Sequence, residues 1–210
     1  MPRHIEDLPM TRPAALQSFL DAALTRVAQR AGDARAQASI ARCAKALTTP
    51  GEMSNAQGTR LPVCAHLDTV ADPARMTAPD LEELLNAFNT LEPNLTWRRR
   101  AGDMTTASEN IADGHANALI TGPGGLERRG DVWLGASLLA PHVRYPDHTH
   151  LPEETYLVLT EGEFQHGESD WFTPGQCGSF YNPPGICHAM RSGETPLFAF
   201  WLLWADTPHA

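Results

Sequence analysis

No apolar run in this chain approaches the roughly 20 residues that span a bilayer, and the opening MPRHIEDLPM lacks the basic-then-apolar order of a secretory signal. A cytoplasmic protein is expected. Positive charge is scarce, with 16 Lys and Arg against 25 Asp and Glu and a formal charge of −9. A nucleic-acid groove or an anionic membrane surface would be repelled by that balance. The expected partner is a small molecule, or a second copy of the chain in a homodimer. Cysteine is sparse too: Cys43, Cys64, Cys177 and Cys187 show no CxxC spacing, which argues against a zinc ribbon or a thioredoxin-type site. They read as reduced, partly buried thiols. The stretch TGPGGLERRG holds Gly122, Gly124 and Gly125, but it lacks the Lys-Ser/Thr of a phosphate loop and any helix signal after it. It reads as a turn.

What is present suits a soluble globular protein: 210 residues, 42% apolar and 20% charged, enough to bury a real core. The first third is helical in pattern. TRPAALQSFLDAALTRVAQRAG places Leu16, Phe19, Leu20, Ala23, Leu24 and Val27 at i, i+3, i+4 spacing, with Thr11 as N-cap, Pro13 in the first turn and Gly32 as the stop. Asp33 can cap a second helix over ARAQASIARCAKAL, and a third, PDLEELLNAFNTL, starts at Pro79 with acidic residues that suit the helix dipole. From about residue 95 the pattern changes to short apolar runs separated by Gly and Pro: ALITGPGG, DVWLGASLLAP, TYLVLTEGEFQHG, SDWFTPGQCGSFYNPPG and PLFAFWLLW. Such runs predict an all-β sandwich or barrel. Helices first and strands after give an α+β class, with a helical region over 1–94 packed on a barrel over 95–210. Leu61, Val63 and Leu67 anchor the connection over 49–76.

The densest chemistry lies in DHTHLPEETY, residues 147–156. On an extended strand His148 and His150 face one side, as do Glu154 and Tyr156 beyond the Pro152 bend. Converging polar groups need a partner, and a His-His-Glu set accepts zinc, iron(II), manganese, nickel or cobalt. His188, after the Pro-Pro-Gly turn of YNPPGICHAM, supplies a further ligand. The other histidines, His4, His66, His115, His142, His166 and His209, read as surface or satisfied core residues.

HTHLPEE matches the HxHx₃E core of the first cupin motif and PPGICH the PxGxxH core of the second. Three positions depart from the pattern: Glu161 stands where Gly is usual with Gly162 one late, Gly178 is one late, and Ser192 replaces Asn. With Tyr145 ahead of the HxH pair, Tyr156 two after the glutamate and FYNPPGICHAMRSGETPLFAFWLLW near the end, the chain resembles the cupin dimethylsulfoniopropionate lyases of the Q type. That resemblance implies a cupin β-barrel (double-stranded β-helix) and one divalent transition metal, zinc, iron(II) or manganese, on His148, His150, Glu154 and His188. It also implies cleavage of the zwitterion dimethylsulfoniopropionate to dimethyl sulfide and acrylate. Tyr156 is the first candidate for the base, because a nearby divalent cation favours phenolate in a group that otherwise titrates near ~10. Tyr145 is the second. Trp171, Phe180, Tyr181, Trp201 and Trp204 are candidate faces for the sulfonium, although most of them should only pack. Two other readings stay open: a different metal-cupin enzyme, such as a dioxygenase or isomerase, and a non-enzymatic binding cupin.

Overall fold

The computed structural model describes residues 11–76 and 78–206; His4, His209 and the N-terminal stretch read for a signal lie outside the described residues. The class is α+β. Helices α1 (Ala14–Arg30) and α2 (Ala34–Ala46) come first, followed by strand β1 (Glu52–Met53), the single-turn helix α3 (Leu67–Val70) and α4 (Glu82–Leu91). Strand β2 (Trp97–Arg98) and the short α5 (Ile111–Gly114) lead into β3 (His115–Thr121), β4 (Glu127–Arg128) and β5 (Val132–Leu139). The remaining strands are β6 (Arg144–His148), β7 (Glu153–Val158), β8 (Glu163–His166), β9 (Ser179–Asn182), β10 (His188–Arg191) and β11 (Leu197–Trp204).

Among the described residues the strands form two sheets. The larger runs β1-β4-β3-β5-β11-β7-β9, with β2 on β3, and the smaller runs β6-β10-β8. A buried cluster containing Leu139, Tyr145, Tyr156, Phe164, Met190 and Leu197 draws on both sheets, so they face each other as the two walls of a cupin barrel. The helices cover the outer face of the larger sheet. Phe19 of α1 and Phe88 of α4 meet Phe200 of β11 at ring-centroid distances of 5.3 and 5.1 Å, and all three rings are fully buried.

Alternation along β11 explains this double burial. Phe198, Phe200 and Leu202 join the helix-side core, whereas Leu197 and Ala199 join the barrel interior, with Trp201 packed against it. The same holds on β7, where Leu157 faces the helices and Tyr156 and Val158 face inward.

Local signals act as their chemistry dictates. Asp33 accepts from the Arg35 backbone N–H at 2.7 Å and caps α2. Thr11 does not cap α1: the capping position is Pro13, with no side-chain cap bond, and helical dihedrals begin at Ala14. A proline disfavours helical backbone in the residue before it, so Arg12 stays outside the helix. Its guanidinium instead meets Glu127 at 2.5 Å, and both side chains are buried. That carboxylate also accepts from Arg129 and the Gly51 N–H, which satisfies a charge with no access to water. The Gly122–Gly125 stretch is a tight turn between β3 and β4, closed by Gly125 N–H donating to the Gly122 carbonyl. Between the helices, β1 pairs with β4, so the helical third contributes an edge strand that its sequence did not announce. Val63 and Leu67 are buried there, and Leu61 packs against the same core.

The motif departures are accommodated. An added Cβ on Gly162 would meet the Leu197 side chain at 2.1 Å, and one on Gly178 would meet the Pro174 carbonyl oxygen at 2.1 Å, so glycine is needed where this chain has it. Ser192 holds its loop by accepting from the Val143 N–H at 2.9 Å and donating to the Ala140 carbonyl at 2.5 Å.

Candidate metal centre and active site

Three strand ends bring the polar groups together. His148 closes β6 and pairs directly with His188 at the start of β10, where a register shift follows between His188 and Met190. Glu154 lies on β7 opposite Asn182 of β9, which donates to its Oε2 at 3.1 Å. His150 sits beyond the end of β6 in the bend before β7, so chain reversal rather than strand alternation aims it inward.

In all three histidines Nδ1 is held by a backbone carbonyl two residues away in sequence. His148 bonds Pro146 at 3.0 Å, His150 bonds Pro152 at 2.8 Å, and His188 bonds Ile186 at 3.1 Å. A carbonyl can only accept, so each Nδ1 carries the hydrogen and each Nε2 presents a lone pair. These histidines form one group with ligand atoms within 4.8 Å of one another. Glu154 Oε2 lies 3.2 Å from His188 Nε2 and 3.5 Å from His150 Nε2. The His188 Nε2 is buried and has no hydrogen-bond partner among the described residues. Fixed tautomers, converging lone pairs, an orphaned buried nitrogen and a carboxylate suit a divalent transition ion.

The electrostatics agree. Burial, reinforced by His188, holds His148 down at about 3, so it is a neutral donor at neutral pH. Burial also penalises a charged His150, but its closeness to the Glu154 carboxylate outweighs that and raises it. Burial opposes the Glu154 charge as well, yet the close approach of His150 and His188 carries its carboxyl well below the usual range.

Beside this cluster lies a cavity of about 160 Å³, lined by Arg100, Asn117, Tyr145, Tyr156, Trp133 and Trp201 among others. The two tyrosines differ. The Tyr156 ring stacks on Phe180 at 5.0 Å. Burial, with the Glu154 carboxylate next in weight, lifts its hydroxyl well above the ordinary phenol value. Burial raises Tyr145 too, but its oxygen accepts from Arg100 Nη1 at 3.3 Å and from Asn117 Nδ2 at 3.1 Å, both of which favour phenolate. A hydrogen-bonded chain supports this. Trp201 Nε1 donates to Ser137 Oγ at 3.0 Å, and Ser137 donates to Asn117 Oδ1 at 2.7 Å, which fixes the amide that holds Tyr145. The indole of Trp201 crosses β5 at Gly135, where an added Cβ would meet it at 2.3 Å.

Of the aromatics singled out in sequence, Trp201 lines the cavity and Phe180 backs Tyr156. Tyr181 donates to Glu153, Trp204 lies under Arg42, and Trp171 lies between Arg144 and Arg191. Sequence reading missed Arg100, Asn117, Ser137 and Trp133, which come from the run at 98–100 and from β3 and β5 with no motif spacing to the histidines. The histidines read as ordinary behave so in three cases: His66 is half-buried, His142 is exposed beside Glu194, and His166 bonds Asn182. His115 differs, being buried with its ring 4.9 Å from that of Tyr145. All four cysteines are free, and three are buried. A wider groove of about 730 Å³ runs past Leu16, Met53 and Leu126, but no titratable group lines it among the described residues. Among the described residues no helix is long and apolar enough to cross a membrane.

Fold and donor set together define the class as a cupin whose histidine cluster is compatible with a metal ion. The sequence profile of the dimethylsulfoniopropionate lyase family matches residues 35–199, and the chain belongs to that family. A Cereibacter sphaeroides protein, provisionally assigned as the dimethylsulfoniopropionate lyase DddL, is 27% identical over 133 residues, 63% of this chain and 54% of that protein. The chain therefore spans about half the length of the curated relative it matches. Among solved structures, the lyase DddQ from Ruegeria pomeroyi superposes with a TM-score of 0.66 at 23% identity, covering 95% of both chains. A structure from the work on the lyases RdDddP and RnDddQII gives 0.68 at 21% identity, covering 92% of this chain and 93% of that one. These two likenesses are of fold.

Proposed function

We propose that the protein is a metal-dependent carbon–sulfur lyase that cleaves dimethylsulfoniopropionate by β-elimination to dimethyl sulfide and acrylate. The observation that carries this reading is a single small cavity, in a chain of this family, where a His-His-Glu-His cluster adjoins a tyrosine held by two donors. A divalent transition ion on His148, His150, Glu154 and His188 would supply the positive charge that stabilises negative charge developing beside a carboxylate.

The rest falls to the chain's own side chains. Tyr145, as phenolate, takes a proton from the carbon next to the carboxylate. The freed electron pair forms the carbon–carbon double bond as the carbon–sulfur bond breaks, and sulfur leaves with its bonding pair as neutral dimethyl sulfide. Arg100 and Asn117 make Tyr145 the better supported base, because they offset part of the burial that keeps its proton on, and the charge of an ion on the cluster would act in the same direction. Trp201 and Trp133, which both line the cavity, are the aromatic side chains that would receive the sulfonium.

Tyr156 is the second reading for the base. Its place two residues after Glu154 in the same cavity supports it, but the Glu154 charge works to keep its proton on.

Anaerobic incubation of metal-loaded protein with dimethylsulfoniopropionate, following acrylate by NMR and dimethyl sulfide in the headspace, tests the reading. Equal amounts of both products without oxygen are expected. Turnover only with oxygen would instead favour a dioxygenase.

A further inference from the structure

We infer that Arg100 is a substrate-binding residue that takes the carboxylate end of a short, carboxylate-bearing ligand and sets the specificity of the cavity for such anions. This deepens the lyase reading above and rests on it for the identity of the ligand's other end. Arg100 lines the cavity. Its guanidinium carbon lies 5.1 Å from the centre of the Tyr145 ring and its Nη1 reaches the Tyr145 oxygen, so its position is fixed from one side. Its Nε is buried and has no hydrogen-bond partner among the described residues.

The contrast with other arginines is instructive. Arg12 and Arg129 share Glu127, Arg60 pairs with Glu92, and Arg191 pairs with Glu163. The neighbouring Arg99 bonds Asp113 and the Ala112 carbonyl. Arg100 forms no ion pair among the described residues. A half-buried guanidinium with a buried, unpartnered Nε and no counter-charge gains from a ligand that brings one, and its planar fork matches a carboxylate.

Cavity size narrows the ligand further. About 160 Å³ is room for roughly five water volumes, which suits a three-carbon acid. Trp201, whose indole has room over β5 because residue 135 is glycine, also lines the cavity, so a ligand whose anionic end is held at Arg100 has an aromatic side chain within the same cavity.

Direct binding separates this inference from the reaction itself. Propionate and its uncharged isostere propionamide would be titrated by calorimetry into metal-loaded wild-type protein, Arg100→Met and Arg100→Lys, with metal content and thermal unfolding checked for each. The expected result is propionate binding weakened by ~10- to 100-fold in Arg100→Met and less in Arg100→Lys, with propionamide weak and nearly unchanged throughout. Equal propionate affinity in all three proteins would overturn the inference, as would a matching loss for propionamide. If wild-type protein fails to cleave dimethylsulfoniopropionate while the propionate loss persists, the anchor stands and the lyase reading falls.

Discussion

The two faces of the β7–β11 strand pair are equally buried and chemically opposite. Outward, Leu157, Phe198, Phe200 and Leu202 meet helices α1, α2 and α4 in an apolar core that is complete without any ligand. Inward, Glu154, Tyr156 and Trp201 face a cavity where lone pairs and a guanidinium nitrogen lack partners. One face spends its residues on packing, and the other keeps polar groups whose satisfaction must come from outside the chain. Stability and chemistry are thus carried by alternate residues of the same strands, and substitutions on the two faces should have separable effects.

The largest effect is expected on the inner face. His188→Ala should reduce bound metal, measured by elemental mass spectrometry, and turnover together to background, while leaving the helix-side core folded by circular dichroism. Retained metal would break the assignment of that face. On the outer face, Phe200→Ala removes a ring wedged between Phe19 and Phe88 and should cost about 3–5 kcal/mol in denaturant unfolding. Its turnover below the unfolding transition should stay near normal, and a loss of turnover without a loss of stability would show that the faces are not separable.

Tyr145→Phe should lower turnover by ~10²-fold or more with metal content unchanged, and by more than Tyr156→Phe does. The reverse order would move the base to Tyr156. The smallest effect concerns His115, which burial holds down at about 4. Because the folded value lies below the unfolded value near ~6.5, the unfolded chain binds more protons as pH falls. Stability should be full above that point and decline toward pH ~4, by ~1–3 kcal/mol. His115→Phe should flatten that part of the profile relative to wild type, and an unchanged slope would assign the acid sensitivity to other groups.

Much of this division was legible in the sequence. Phe19, Phe88 and the FAFWLLW run announce helices and a doubly buried strand, and the residues of the HxHx₃E and PxGxxH spacings do lie together as candidate ligands because neighbours in a motif are neighbours in the barrel. Arg100, Asn117 and Ser137 were not legible. They reach the cavity through sheet pairing of distant segments, and an arginine in a run of three looks like solvated charge until the fold shows that Arg100 lines the cavity. The start of α1 was misread for a local reason, the exclusion of helical backbone before Pro13. His150 was assigned to the right group by the wrong geometry, since a bend rather than a strand delivers it.

The most direct test of the central claim, that a base in this cavity removes the proton next to the carboxylate, uses dimethylsulfoniopropionate carrying two deuterium atoms on that carbon. With metal-loaded protein under anaerobic conditions, NMR of the acrylate should show one deuterium at carbon 2 and none elsewhere, with slower turnover than the unlabelled compound wherever proton removal limits the rate. Acrylate that retains both deuterium atoms would contradict the account.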